Sequence, residues 1–222
     1  MKKIVKNQVV FDFDGTLLFT DDIVSDSFRY MFSYYGFPPV SDERILQTFG
    51  GLMIDEITTL KNEYNINADP EEMLAVYRSY HGDHFEENIR LFDGVKELLD
   101  ALIERGCALY LLTSRKKNST YRGLKHFGIE NYFSLIVTAD DSPFVKPDKR
   151  AVLSVLEKAN KSPENAVLIG DSHFDTECAK NANITGIHAV WGRQFTAQEI
   201  LKTGATFVAE TPEKIIEILE NL

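Results

Sequence analysis

At 222 residues the chain has room for one large domain, or for a domain carrying a smaller insert. Its 44% hydrophobic and 26% charged residues are ordinary for a globular protein, and a formal net charge of −10 argues against binding nucleic acid, which needs a basic face. No apolar stretch reaches the length that spans a bilayer, and Lys6, Asn7 and Gln8 interrupt the run behind the basic start. No membrane segment or signal peptide is therefore expected, and a cytoplasmic location is. Cys107 and Cys178 fall in regular segments and read as buried thiols rather than a disulfide.

In chain order, Val9-Val10-Phe11 is the first β-type run. Residues 18–89 then show helical periodicity and no strand. Phe28, Met31, Phe32 and Tyr35 form one stripe; Met73, Leu74, Tyr77 and Tyr80 form another. This stretch holds 14 acidic and four basic residues, and so the whole net charge, while the remainder is balanced at 20 and 20. It is a candidate lid, with a solvated acidic face as the plainer reading. Val95, Leu98, Leu99, Leu102 and Ile103 predict a helix with Asp93 as N-cap and Gly106 as its stop. Further β-type runs follow at 108–112, 135–137, 167–169 and 187–190, with a weaker one at Phe207-Val208. Thr211-Pro212 opens the last helix, whose stripe is Ile215, Ile216 and Leu219. Strands alternating with helices imply an α/β fold, a Rossmann-like parallel sheet with helices on both faces. Residues 1–17 and 90–222 would form that core, and 18–89 an inserted all-helical cap.

Four short motifs carry chemistry. Asp12-Phe13-Asp14-Gly15 leaves the first strand, where two carboxylates in close company need a cation or a shared proton. Thr113-Ser114-Arg115 ends the next core strand, with hydroxyls suited to phosphoryl oxygens and an arginine suited to steering anions. Pro147 restrains the approach of Lys146. Asp171 and Asp175 follow the run at 167–169 at a spacing that suits a hard cation. Each has a bland reading, as turn, cap or surface charge. Their shared place, each beyond a different strand, brings them to one sheet edge. His81 and His84 read as surface helix residues, and His173 as solvent-facing.

In these motifs the sequence resembles the haloacid dehalogenase superfamily of phosphohydrolases. Asp12 to Leu17, Thr113, Lys146, and Gly170-Asp171 through Asp175 match its four motifs, and the match covers nearly the whole chain. The 18–89 insert resembles the helical cap of the phosphoglycolate phosphatase and β-phosphoglucomutase branch. Departures are Ser114 for a frequent asparagine, Lys149 for a proline, Asn183 for a glycine, and Gly50-Gly51-Leu52 in the cap.

The resemblance implies a Mg²⁺-dependent phosphatase acting on small-molecule phosphate monoesters. Asp12 would be the nucleophile and Asp14 the acid–base, with Thr113, Ser114 and Lys146 holding phosphate. Asp12, the Asp14 carbonyl and Asp171 would bind the metal, with Asp175 behind them. Two other readings stay open, a sugar phosphomutase and a non-enzymatic phosphoacceptor regulator; the resemblance disfavours a dehalogenase, because Asp14 is retained, and a phosphonate-cleaving relative, because the first motif lacks its typical alanine. The acidic cap suggests that polyanions such as pyrophosphate are poorly received. Monomer is the default expectation, with a dimer as the alternative.

Overall fold

The computed structural model describes residues 2–48, 51–192, 202 and 204–222, so Gly50 of the cap motif lies outside the described residues. Strand β1 (Gln8–Phe11) is buried along its whole length, and the chain turns through residues 12–17 into the short β2 (Leu18–Phe19). Four helices follow: α1 (Asp21–Tyr34), α2 (Asp42–Leu46), α3 (Met53–Glu63) and α4 (Pro70–His84). The chain returns through β3 (Arg90–Leu91), which pairs with β2. After it come α5 (Val95–Glu104), β4 (Ala108–Leu112), α6 (Lys117–His126) and β5 (Phe133–Val137). The last elements are α7 (Lys149–Lys158), β6 (Ala166–Gly170), α8 (His173–Asn181), β7 (Thr185–Ala189), β8 (Phe207–Ala209) and α9 (Pro212–Glu220).

Six strands form one sheet in the order β5-β4-β1-β6-β7-β8, and every pairing is parallel. Alternate residues serve opposite faces. Val10, Tyr110 and Leu168 pack on one face with Val152, Val155 and Leu156 of α7 and Cys178 and Ala179 of α8. Burial on both faces is why these strands read as continuous apolar runs rather than as alternating ones. Among the described residues no helix is long and apolar enough to cross a membrane.

The chain divides into two units, one of residues 1–19 and 91–222 and one of residues 20–90. The second has its own core, with Phe28, Met31 and Phe32 of α1 packed on Ile57, Leu60, Met73, Leu74 and Tyr77. Asp69 caps α4 by accepting from the Glu71 and Glu72 N–H groups, and Pro70 opens the helix where its missing N–H costs nothing.

Three details correct the sequence reading. Leu18 and Phe19 form a strand inside the stretch read as strand-free, because two residues leave no periodic pattern. The N-cap of α5 is Gly94 in the left-handed region, with φ 82°, and not Asp93; a Cβ there would also sit 2.5 Å from Glu213 Oε1. Ile103 is 46% exposed and lies outside the buried stripe of α5.

Candidate active site

Parallel strands bring their carboxyl ends to one edge, and strand order reverses about β1, which is where open α/β sheets form crevices. Phe11 is level with Leu111 on one side and Ile169 on the other, so Asp12, Thr113 and Asp171 emerge from neighbouring strands. Two backbone bonds prolong the pairing beyond the strands: Asp12 N–H donates to Ile169 O (2.9 Å) and Thr113 N–H to Val137 O (3.0 Å).

At this edge the Lys146 ammonium lies 2.8 Å from Asp12 Oδ1 and 2.6 Å from Asp175 Oδ1. Asp12, Asp171 and Asp175 each offer an oxygen within 4.8 Å of the others. The side chains of Lys146, Asp12 and Asp175 are only 2%, 6% and 1% exposed, and Asp171 is buried with them. Burial pushes the Asp12 carboxyl up; Lys146 opposes this, but Asp175 and Asp171 add to it, and it stands well above the usual carboxylate range. Burial alone would lower the Lys146 ammonium, yet the Asp12 and Asp175 carboxylates outweigh it and hold the proton in place.

Local sequence explains the placement. Ser172 caps α8 reciprocally: its hydroxyl accepts from Asp175 N–H, and its own N–H donates to Asp175 Oδ2 at 3.2 Å. One carboxylate oxygen is thus held by the cap while the other faces Lys146. A Cβ on Gly170 would lie 2.1 Å from Asp175 Cγ, and one on Gly15 2.1 Å from Asp171 Oδ2. Only glycine leaves these acids room, and at Gly15 φ is also +73°. The segment carrying Lys146 is tied to α8 by Asn181 Nδ2, which donates to Pro147 O (3.1 Å), and by Cys178 Sγ, which donates to Asp148 O (3.3 Å).

Asp14 stands apart from this cluster. β1 stops at Phe11, so strand alternation does not set its direction. Arg115 Nε donates to Asp14 Oδ2 at 3.0 Å and Nη2 to Oδ1 at 2.7 Å, and the Asp14 side chain is 35% exposed. Thr113 is buried, with Oγ1 accepting from Arg115 N–H (3.1 Å); Ser114 beside it is half-buried. Asp12, Lys146, Asp171 and Asp175 are therefore drawn together, with Thr113 at the next strand end and Asp14 on Arg115.

The sequence reading passed over Trp191 and Gly192, just beyond β7. Trp191 Nε1 donates to Thr16 O (3.0 Å), and a Cβ on Gly192 would lie 3.0 Å from Gly15 O, so both pack on the turn behind Asp12. Their place past a strand end was the available signal. His173 is exposed as expected, but His81 is buried, its ring stacked on Tyr77 and Phe85, which corrects its reading as a surface residue.

Among the described residues three carboxylates and one ammonium meet here, a charge of −2 when all are ionised. All-oxygen, anionic donors with that deficit suit a hard divalent cation such as Mg²⁺.

The family model for haloacid dehalogenase-like hydrolases matches residues 9–189. A Clostridium perfringens protein, provisionally named pyrophosphatase PpaX, is 31% identical over 217 residues, covering 96% of this chain and 97% of its own. Pyrophosphatase PpaX of Bacillus mycoides is 26% identical over 216 residues, 97% and 94% of the two chains. Among solved structures, a provisionally named phosphoglycolate phosphatase from Lactobacillus plantarum is similar with a TM-score of 0.81 at 26% identity, covering 97% of this chain and 99% of that one. With the family match extending from β1 to the end of β7, and so over every residue of the cluster, the chain belongs to the haloacid dehalogenase-like hydrolases.

Proposed function

We propose that the protein is a Mg²⁺-dependent phosphatase that hydrolyses small-molecule phosphate monoesters through an aspartyl phosphate on Asp12. The observation that carries this reading is the buried group of Asp12, Asp171 and Asp175 about Lys146, acidic in excess at the edge where parallel sheets place their sites.

Asp12, Asp171 and the backbone carbonyl of Asp14 would hold the cation. Bound there, it offsets the repulsion between carboxylates and phosphate and polarises the phosphoryl oxygens. An Asp12 carboxylate oxygen forms a bond to phosphorus as the bond to the ester oxygen breaks. Asp14 gives its proton to the departing alkoxide. Water then attacks the phosphorus of the acyl phosphate, Asp14 takes the proton, and the Asp12 carboxylate is restored with release of inorganic phosphate. Two of the three Lys146 N–H donors are directed to Asp12 and Asp175, which leaves one for a phosphoryl oxygen. Thr113 and Ser114 supply further donors as charge shifts between oxygens. Asp175 keeps the ammonium in place.

A second reading, hydrolysis of pyrophosphate, draws on the names of the two PpaX relatives. The 14 acidic residues at positions 18–89 weigh toward singly phosphorylated esters instead. Phosphate release is to be measured over phosphoglycolate, sugar phosphates and pyrophosphate, with Mg²⁺ and with EDTA, for the wild type and Asp12→Asn. Mg²⁺-dependent release that Asp12→Asn abolishes is the expected result, and the preferred compound decides between the two substrates. Turnover that survives Asp12→Asn would falsify the covalent route.

A further inference from the structure

The scheme above leaves Arg115 without a task, although its side chain is only 9% exposed. Its backbone is fixed on both sides: the N–H donates to Thr113 Oγ1 (3.1 Å), and the carbonyl accepts from Ala139 N–H (3.0 Å). The guanidinium carbon lies 5.8 Å from the centre of the Phe13 ring, which backs the fork. From that seat the fork meets both oxygens of Asp14, at 3.0 and 2.7 Å.

A planar fork on a planar carboxylate fixes the plane and the reach of that carboxylate together, which a single hydrogen bond or a lysine does not. Asp14 has need of this. It lies beyond the end of β1, outside the buried cluster, with 35% of its side chain exposed, so packing alone does not select its orientation. A proton passes efficiently only when the carboxyl oxygen stands within hydrogen-bond reach of the oxygen it serves.

We propose that Arg115 is a positioning residue that holds the Asp14 carboxylate in the orientation from which it exchanges protons with the leaving oxygen and the incoming water. The proposal rests on the phosphatase reading in taking Asp14 as the proton carrier. A different role, an ion pair that merely joins the turn at residues 12–18 to the loop at 113–115, would touch stability and leave turnover by the folded protein unchanged.

A double-mutant cycle separates these. Phenyl phosphate is the probe, because its leaving oxygen needs a proton, and kcat and KM are measured with Mg²⁺ for folded protein, checked by circular dichroism. Arg115→Met should lower kcat about 10- to 100-fold, the scale of a misplaced catalytic group, with KM held within about twofold. Arg115→Lys should fall between. In an Asp14→Asn background, Arg115→Met should change kcat by less than about twofold, since no carboxylate remains to orient. The same loss in both backgrounds, an unchanged kcat, or a raised KM at constant kcat would each overturn the proposal. A wild type that releases no phenol, or an Asp12→Asn variant that still does, condemns the phosphatase reading instead.

Discussion

Two ion-paired groups stand at the same sheet edge, and water separates their chemistry. Lys146 with Asp12 and Asp175 is almost wholly enclosed, whereas Arg115 with Asp14 reaches solvent on the carboxylate side. The Arg115 pair sets one cation against one anion through a two-point contact. Among the described residues the Lys146 group, with Asp171, sets three anions against one cation where water cannot screen them; burial first, then the Asp175 and Asp171 charges, pushes the Asp12 carboxyl well above its usual range against the pull of Lys146. Such an excess persists in a folded protein when something else shares it: a proton, or a divalent ion with its substrate. The enclosed group is thus built to receive charge, the half-open one to hold a side chain still.

The sharpest way to break this contrast is to remove the ammonium. Lys146→Met leaves three enclosed carboxylates without a cation, and breaking a buried ion pair costs about 3–5 kcal/mol. Urea titration in EDTA should find a loss of that size, and a smaller one with Mg²⁺ present. A loss that is the same in both buffers would mean the deficit has no claim on a cation. The next effect is binding itself: at Mg²⁺ concentrations near 100 times its Kd, the wild type should gain about 2.7 kcal/mol, read as a rise in Tm of roughly 5–10 °C. Asp171→Asn should erase most of that rise, while Arg115→Met should leave it, because only the first alters the enclosed group. Below these comes Gly170→Ala, whose new methyl must displace Asp175 from 2.1 Å; overpacking of this kind costs about 1–3 kcal/mol in the same titration.

How far the sequence foretold this contrast depends on the range of the interactions involved. The strands were legible because burial on both faces makes each a continuous apolar run, and the residues just beyond them marked the edge. Asp175 was legible as a partner of the edge because it follows Asp171, just past a β-type run, at a spacing that suits a hard cation. The Arg115–Asp14 pair was not, since 101 residues separate its members and nothing local distinguishes this arginine from a surface one. Trp191 bonding Thr16 across 175 residues escaped for the same reason. His81 failed differently: a polar residue near the end of an acidic helix reads as exposed, although Tyr77 and Phe85 four residues to either side were a local signal that it shares their buried face. Contacts within one turn of helix leave a pattern in the chain; contacts made by the sheet order do not.

The smallest predicted effect tests whether burial, rather than pairing as such, sets the scale. Arg29 in the 20–90 unit bonds Asp26 at 2.7 Å and also pairs with Asp42, so on a count of contacts it resembles Lys146, which likewise serves two carboxylates. Its side chain is 40% exposed, and those of its partners are 43% and 76% exposed. Water competes for all three groups, and holding long side chains in register costs rotamer freedom. Arg29→Ala should therefore cost less than about 1 kcal/mol by urea titration, and less again in 1 M salt. The acidic surroundings do not reverse this, because exposed charges more than a Debye length apart are largely screened. If Arg29→Ala instead matched Lys146→Met, cation-to-carboxylate contacts alone would account for both, and enclosure could no longer be what sets the Lys146 group apart.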